Sequence, residues 1–486
     1  MPSNNRSRVR IETFLPLLIF YLLDFSMPRR FYTLFFYLVM PLILLRLAYR
    51  AIRAPEYGRR INERFALFSA PSFDRCIWVH AVSVGETIAA VPLIRRLQKN
   101  YPNCAIVVTT MTPTGSERVE AMLGKEVFHV YAPYDIPGSV KRFLSRINPD
   151  LLIIMETELW PNTIHYCHKN SIPVVLANAR LSERSAKGYG RVSSLSRLML
   201  EEMSCIAAQH SADGERFVAL GLPPENVIIT GSIKFDIDIP AELSERARHL
   251  KTHWSHVELT DLGLSNAALN IAGSSSGNDD SPLRRGGGNS RRLIFIAAST
   301  HEGEEGLILS AFKRVLAQRQ IDETAKPLLI LVPRHPERFS RVVAMSEQLD
   351  LETVRRSSGE SVGESTQVMV GDTMGELLLL YGCADIAFVG GSLVDNGGHN
   401  MLEAAAWALP IISGNSMHNF YDISQKFLQA RALLVVNSED ELFEQLQNLL
   451  EDQAKRQQMG RSALEVIEQN RGSLKALEVA ISHYID

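Results

Sequence analysis

The chain has 486 residues, of which 46% are hydrophobic and 22% charged, and its formal net charge is −3 at pH 7. This length is too great for one ordinary core and predicts two domains with additional segments, while the near-neutral charge argues against a dedicated nucleic-acid-binding protein. The five cysteines are scattered and include no C-x-x-C pair, which excludes a disulfide framework or zinc knuckle and indicates a reducing compartment.

The N-terminal region carries the membrane-like segments. Residues 11–23 form a short apolar run, and residues 31–45 form a second run that only Thr33 and Pro41 interrupt. With its flanking residues the second run approaches the length that crosses a hydrocarbon core, so a short span and a helix lying in the interface both fit. We therefore assign residues 1–50 to an N-terminal tail and membrane anchor.

Arginines are more frequent after this anchor than before it. An excess of positive charge on one side places that side in the cytoplasm, so we expect the main body there. The arginines that follow are Arg46, Arg50, Arg53, Arg59, Arg60 and Arg64, and those that precede are Arg6, Arg8 and Arg10.

Residues 51–238 alternate short apolar runs with helical patterns. This alternation predicts a parallel sheet with helices on both faces, and we assign these residues to an N-terminal Rossmann-like domain. The predicted strands are 76–82, 105–110, 151–155, 173–177, 205–208 and 227–231.

The same rhythm restarts at residue 293 and defines a second Rossmann-like domain, 293–486. Residues 239–292 lie between the domains, and their Ser/Gly-rich part, 265–292, predicts a flexible insertion in the linker. The predicted class is thus α/β, with two Rossmann-like domains facing each other across a cleft. The strands expected in the second domain are 293–298, 328–332, 367–370, 386–389 and 410–413.

A glycine-framed loop runs into an acid-led helix near each end of the chain. The first, residues 83–86, ends in Glu86 at the first turn of a helix. Acids are favoured there by the helix dipole alone, but the mouth of an α/β sheet is also where ligands bind, so Glu86 is a candidate general base.

The second glycine-framed loop covers residues 390–403. Asn400 and Glu403 have the spacing of a capping-box variant, yet the glycine density before them favours a ligand loop. Gly375 lies in the first turn of another predicted helix, which Asp372 would cap, and a glycine there suits close approach of a ligand. Arg334 at a strand end suits bidentate anion binding.

Two acids and a lysine end strands of the first domain. Glu156 and Glu158 follow residues 151–155, and Lys234 follows residues 227–231. Side chains alternate along a strand, so we expect at most one of the acids to face a substrate and Glu158 to help start the next helix. Asp236 and Asp238 spell D-x-D, but their position in a linker argues against a metal site.

Long blocks of the sequence resemble the 3-deoxy-D-manno-octulosonic acid (Kdo) transferases of lipopolysaccharide synthesis. The resemblance implies the two-Rossmann glycosyltransferase B architecture, an acceptor domain at 51–238 and a CMP-Kdo donor domain at 293–486. It also implies inverting transfer of Kdo from CMP-Kdo to lipid IV-A, without a cofactor or bound metal. The blocks are 80–86, 109–115, 155–162, 177–180, 231–236, 300–305, 333–339, 371–376 and 390–403.

The same resemblance assigns the site residues. Glu86 is similar to the family's proton acceptor, and Glu156 and Lys234 to its transition-state stabilisers. Met401 departs from the family's usual proline, but only a backbone contact is implied there. The residues that resemble the CMP-binding segments are Pro333, Arg334, Met374, Gly375, Glu376, Asn400, Met401, Leu402 and Glu403.

These expectations place the enzyme at the cytoplasmic face of the inner membrane of a Gram-negative bacterium, with membrane lipids as partners and no nucleic acid. Three alternatives remain at this point. They are another lipopolysaccharide glycosyltransferase such as a heptosyltransferase, a sugar-nucleotide isomerase of the same fold, and a non-catalytic nucleotide-sugar-binding protein, because fold alone does not decide among them.

Overall fold

The computed structural model describes residues 29–255, 291–318 and 326–485. The apolar run 11–23 and the Ser/Gly-rich stretch 265–290 lie outside the described residues. The chain divides into two compact units, of which the first is Met1–Asp236 with Asn470–Asp486 and the second is Ile237–Gln469.

The first unit contains a seven-stranded sheet in which every pairing is parallel. Its strand order is β3-β2-β1-β4-β5-β6-β7. The strands are β1 Cys76–His80, β2 Ala105–Thr110, β3 Phe128–Tyr131, β4 Leu151–Met155, β5 Val174–Ala179, β6 Cys205–Ala208 and β7 Val227–Ile229. Its helices are α1 Arg29–Arg53, α2 Val84–Asn100, α3 Pro113–Leu123, α4 Pro137–Ile147, α5 Pro161–Lys169, α6 Glu183–Gly190, α7 Ser193–Glu201 and α8 Ser211–Ala219.

The second unit repeats this plan with a parallel sheet in the order β10-β11-β9-β8-β12-β13-β14. The strands are β8 Ile294–Thr300, β9 Leu328–Pro333, β10 Thr353–Arg355, β11 Val368–Val370, β12 Ile386–Val389, β13 Ile411–Gly414 and β14 Leu433–Val436. Its helices are α9 Ala241–Trp254, α10 Glu304–Gln318, α11 Phe339–Gln348, α12 Leu377–Cys383, α13 Leu402–Ala406, α14 Tyr421–Gln429, α15 Glu439–Glu451 and α16 Gln453–Asn470. The predicted pair of parallel α/β domains is thus confirmed.

Each sheet of the described chain is covered on its faces by apolar side chains that alternate along the strands. In β1, Ile77 and Val79 belong to one buried cluster and Cys76 and Trp78 to another. Successive side chains of a strand point to opposite faces, so a central strand with both faces covered reads as a continuous apolar run. This is why the sequence identified β1 and β4 so readily.

The end of the chain belongs to the first unit and not, as expected, to the second. Helix α17, Ser473–Ser482, packs against α2, and Leu474, Leu477, Ile481 and Ile485 join the buried cluster of the first sheet. Part of the segment expected to be a linker is a helix of the second unit. Residues Ala241–Trp254 form helix α9, which packs against α12 of that unit. Both segments are short amphipathic helices, and tertiary packing determines the unit to which each belongs.

Helix α1 has the length and apolar composition to cross a membrane. One face is packed on the first unit, where Tyr32, Phe36 and Met40 join Tyr134 and Leu195 in a buried cluster. The opposite face carries large apolar side chains that are more than half exposed: Phe31, Leu34, Leu38, Leu42, Leu45, Tyr49 and Ile52. Their recurrence every three or four residues puts them on one stripe of the helix.

Candidate active site

In the first sheet, β1 lies between β2 and β4, so the loops that leave the carboxyl ends of β1 and β4 diverge toward opposite sides. Such a switch point is where open α/β sheets bind ligands. Glu86 follows β1 and Glu156 follows β4 directly. The topology therefore brings these two predicted residues to the same part of the sheet edge.

Glu86 is 5% exposed and is held by the start of helix α2. The Ser83 hydroxyl accepts a hydrogen bond from the Glu86 amide and donates one to Oε1 at 2.8 Å, and the Val82 amide donates to Oε2 at 2.8 Å. This is a capping-box arrangement, so the purely structural role is present. A carboxylate has about four lone-pair sites, so these two contacts leave room for another proton donor.

The environment of Glu86 favours its neutral form. Burial, followed by the charges of Glu158 and Glu156, raises the pKa of Glu86 to about 8. Burial and the charge of Glu156 likewise raise the pKa of Glu158 to about 7. A carboxyl group whose pKa lies near neutrality has the property expected of a general base.

The expectation that Glu158 helps to start the next helix is wrong. Helix α5 begins at Pro161 with no acid in its first turn, and the charge of Glu158 acts on Glu86 together with that of Glu156. Glu156 has a left-handed φ of 58°, so the regular alternation of side chains ends with the strand at Met155. Such backbone strain in a residue other than glycine is concentrated at functional sites.

Lys234 is placed beside Glu156, with its Nζ 3.3 Å from the Glu156 carboxylate. It lies in the single turn Ile233–Phe235, whose first amide donates to the Asn178 side chain at 3.2 Å. Asn178 is itself left-handed, with φ 54°, at the end region of β5. Three predicted residues, Glu86, Glu156 and Lys234, thus lie at one end of the sheet, and Asn178 is a positioning residue that spacing did not reveal.

Asp236 of the D-x-D stretch holds the polypeptide backbone. Its carboxylate accepts hydrogen bonds from the Gly472 and Leu474 amides at 2.7 and 2.6 Å, where α17 begins. Within the described ranges, no group of three or more His, Cys, Asp or Glu side chains is arranged to hold a metal ion. Asp236 therefore has a structural role at the return of the chain.

The second sheet has its own switch point, where β8 lies between β9 and β12. His301 follows β8, and Gly390 and Gly391 follow β12. A Cβ atom at Gly390 would lie 2.7 Å from the Ser299 carbonyl oxygen, and Gly391 has a φ of 69°. Glycine is required at both positions, the first for close backbone approach and the second for backbone conformation.

A buried acid, Glu304, fixes this glycine loop. Its carboxylate accepts hydrogen bonds from the amides of His301, Gly391, Ser392 and Leu393, at distances of 2.7 to 2.9 Å. The neighbouring Glu305 is also buried and forms a bidentate ion pair with Arg338. Sequence spacing predicts no role for either acid, although two adjacent acids after a glycine are a visible signal.

Arg334 lies beside the predicted loop 400–403. Its amide donates to the Thr300 carbonyl at 2.9 Å, and its charge lowers the pKa of the nearby Glu403 carboxyl, whereas burial raises it more strongly. The Asn400 side chain donates to Glu403 at 3.2 Å and accepts from the Leu402 amide. Met401 and Leu402 are buried, and Pro333 is the last residue of β9.

Two aromatic rings complete this region. The Nε2 atoms of His301 and His399 are 2.7 Å apart and their rings are nearly parallel. Burial, and then His301 and Arg334, lower the pKa of His399 to about 3. The exposed His335 ring lies edge-on to His301, with centroids 5.2 Å apart.

The segment Met374–Glu376 precedes α12, which begins only at Leu377. Gly375 is left-handed, with φ 84°, and the space where a side chain would be is open. The backbone conformation, and not a position in the first turn of a helix, therefore explains why this residue is glycine. Glu376 is bound by Arg356 at 3.1 and 3.2 Å, and Met374 is 63% exposed. The expected cap at Asp372 is wrong, because Asp372 accepts from the Ser357 amide instead.

Comparison with known proteins gives a consistent result. The family model described as 3-deoxy-D-manno-octulosonic-acid transferase (kdotransferase) matches residues 59–237, and that of glycosyl transferases group 1 matches residues 290–466. A 3-deoxy-D-manno-octulosonic acid transferase of Haemophilus influenzae is 41% identical over 95% of this chain and 99% of its own length.

Two solved structures are also similar. The C-terminal CMP-Kdo binding domain of WaaA from Acinetobacter baumannii is 36% identical, covers 36% of this chain and 90% of its own, and superposes with a TM-score of 0.34. A UDP-GlcNAc 2-epimerase from Neisseria meningitidis bound to UDP-GlcNAc is 14% identical over 84% of this chain and 98% of its own, with a TM-score of 0.50. The second likeness concerns the fold alone.

Proposed function

Because the chain belongs to the Kdo transferase family and is a glycosyltransferase, we propose that it moves Kdo from CMP-Kdo to lipid IV-A, with inversion and without a bound metal. Glu86 is the general base of this proposal. The observation that carries it is a buried carboxyl group at the sheet's switch point whose pKa is raised to about 8. Neither a heptosyltransferase nor an isomerase has comparable support.

The first unit supplies the acceptor chemistry. Glu86 takes the proton of the acceptor hydroxyl while the hydroxyl oxygen attacks the anomeric carbon of Kdo. The CMP phosphate departs from the opposite face of the sugar, which inverts the configuration at this carbon. The sugar ring gains positive character in such a transition state, and the carboxylate of Glu156 has the sign that stabilises it. Lys234, whose Nζ lies 3.3 Å from the Glu156 carboxylate, orients it.

The donor nucleotide binds in the second unit under this proposal. Arg334 and the loop 400–403 lie together, and Pro333 precedes Arg334 at the end of β9. Met374 and Gly375 form an exposed, left-handed turn that a ligand can approach. Glu376 acts indirectly, because its carboxylate is held by Arg356 and Thr373. A monophosphate leaving group is stabilised here by a cation and backbone donors.

The acceptor is proposed to enter beside helix α6. Burial and the charge of Glu158 raise the pKa of Tyr189 on this helix, so the helix lies next to the acid cluster. A surface cavity of about 480 Å³ lies on the same helix, and its three cationic side chains suit a phosphate of lipid IV-A. The residues that line this cavity are Ser182, Glu183, Arg184, Lys187, Gly188 and Arg191.

We infer further that α1 lies in the interface of the inner membrane on its cytoplasmic face and does not span the bilayer. The packed face of α1 is tied to the first unit by polar contacts, since Arg29 and Thr33 both donate to Asn162 at 3.1 and 3.0 Å. The opposite, exposed apolar stripe is the geometry of an amphipathic interfacial anchor. It would hold the first unit against the membrane that contains the acceptor.

The test is mass spectrometry of lipid IV-A incubated with purified protein and CMP-Kdo. We expect mass increments of Kdo residues, no product from ADP-heptose, full activity in the presence of a metal chelator, and weaker activity on an acceptor that lacks its phosphates. Product from ADP-heptose with none from CMP-Kdo would contradict the proposal. Loss of activity in the chelator that returns with a divalent cation would contradict metal independence alone.

A further inference from the structure

The hydrogen-bonded pair of imidazoles in the second unit has no role in the proposed reaction. His301 follows β8 and His399 ends the glycine loop after β12, and their Nε2 atoms are 2.7 Å apart. The ring planes differ by 6° and the centroids are 5.0 Å apart. Two ring nitrogens at this distance share a single proton, because one must donate and the other accept.

The pair is built into the glycine loop. A Cβ atom at Gly391 would lie 2.8 Å from Cδ2 and 3.0 Å from Nε2 of His399, and 3.4 Å from the His301 ring. The Glu304 carboxylate holds the His301 and Gly391 amides at 2.9 and 2.7 Å, so one acid positions both sides of the pair. The rings are therefore placed by the fold rather than by chance contact.

The surroundings of the pair are cationic. Arg334 and His335, which follow β9, act on both rings, and Arg338 acts on His301. Among the described residues, Glu304 supplies the opposing charge on His301, while Glu403 of α13 faces Arg334. Burial and these cations lower the pKa of both rings, so the pair is neutral near pH 7 without a ligand.

We propose that the His301–His399 pair, with Arg334, binds the phosphate of the donor nucleotide and takes up one proton from solvent when this phosphate is the dianionic monoester of CMP, as in the leaving group. The inference rests on the donor site of the proposed function. A dianion beside the pair offsets the repulsion from Arg334 and favours an imidazolium that donates to it. The pair thereby neutralises part of the charge that CMP carries as a leaving group.

The sign of the linkage follows from the two states. The pair is neutral when free and protonated when phosphate is bound, so binding consumes a proton between the free and the bound pKa. Affinity is therefore full below the free pKa, falls as pH rises from the free to the bound pKa by up to about tenfold per pH unit for one proton, and levels off above the bound pKa. Above about pH 7 the phosphate of CMP is already dianionic, so its own titration does not contribute.

The first experiment is calorimetry of CMP binding to the full chain above about pH 7, in two buffers of different ionisation enthalpy. We expect uptake of about one proton in the wild type, and loss of this uptake with about tenfold weaker binding in the double variant His301→Gln/His399→Gln. His249→Gln, on the exposed side of α9, is the matched control and should behave as the wild type. Binding of CMP by the wild type without proton uptake would overturn the proposal.

The second experiment uses only the wild type and inorganic phosphate. Its result therefore depends neither on which donor the enzyme uses nor on whether the double variant folds. Nitrogen-15 resonances of the histidine rings are followed against pH in the wild type, with and without inorganic phosphate. We expect phosphate to raise the pKa of one ring of the pair and to leave His249 unchanged. If CMP does not bind, the proposed function is contradicted. The phosphate titration then still decides whether the histidine pair binds phosphate. If neither ring responds to phosphate, the pair has a structural role only.

Discussion

The two sheets each have a switch point, but the side chains that lie there differ between the two units. At the switch point of the first sheet lie Glu86 and Glu156, with Lys234 alongside, whereas at that of the second lie two imidazoles and a glycine loop. A parallel sheet determines where loops diverge and ligands bind, and the loop side chains determine which ligand binds.

The two sites also favour neutral groups by opposite means. In the first unit, burial and neighbouring acids raise the pKa of Glu86 to about 8, so that it retains a proton. In the second, burial and neighbouring cations lower the pKa of His399 to about 3, so that it lacks one. Each group is thus mainly uncharged at neutral pH, and because the two groups lie in different units they can be substituted separately.

The sharpest separation is expected from Glu86→Gln. Removing a general base should lower turnover at least about a hundredfold while CMP affinity stays unchanged, because the nucleotide belongs to the other unit. Turnover is measured by mass spectrometry and affinity by calorimetry. Glu120→Gln, at an exposed position of α3, is the control. Turnover within about threefold of the wild type would rule out the base role.

The anchor offers the next largest effect. The double variant Leu38→Glu/Leu42→Glu removes two side chains from the exposed stripe of α1, each worth about 1.5–3 kcal/mol when buried in lipid. We expect vesicle binding to weaken at least tenfold and the KM for the lipid acceptor to rise, with CMP affinity retained. Leu67→Glu, which alters an exposed leucine outside α1, should have no such effect. Unchanged flotation with vesicles would show that this stripe does not contact lipid.

The third variant, Glu304→Gln, addresses the second unit. A glutamine offers one acceptor oxygen where the carboxylate serves four amides, so the loop 390–393 loses hydrogen bonds worth about 1.5–3 kcal/mol each. CMP affinity should fall about tenfold, while turnover at saturating donor changes little. Glu302→Gln, whose side chain is 65% exposed, is the neighbouring control. A variant that binds CMP normally would indicate that the loop does not form the donor site.

The smallest effect is a shift in pH dependence. Glu86 must be ionised to act as a base, so kcat/KM should rise with pH and level off above the Glu86 pKa of about 8. Glu158 raises this pKa, and Glu158→Gln should therefore move the rise to lower pH without abolishing turnover. The carboxyls interact, so the profile reports the group as a whole. A rise that stays at the same pH in the variant would contradict the coupling.

Central elements were far easier to predict than peripheral ones. The strands β2, β4, β6 and β12 begin and end where the apolar runs do, because strands covered on both faces read as continuous apolar segments. The three strands that sequence patterns missed are β3, β10 and β14, and all lie at sheet edges. They are short and partly exposed, so burial gives them no clear pattern.

Among the site residues, those next to strand ends were visible and those that depend on distant pairing were not. Glu86, Glu156 and Arg334 each follow an apolar run that marks a strand. The left-handed backbone of Glu156, at the end of β4, has no signature in composition. His301 and His399 meet because β12 pairs with β8 and not with β11, the strand before it in sequence, and no local spacing reveals that order.

The return of α17 to the first unit has a consequence for biosynthesis. The second unit is one uninterrupted stretch, Ile237–Gln469, and can mature as soon as that stretch leaves the ribosome. The first unit, although translated earlier, lacks Leu474, Leu477 and Ile481 from its apolar interior until translation has passed Gln469. A chain that ends between Gln469 and Leu474 would therefore retain a complete second unit, while the buried cluster of the first unit would lack these side chains.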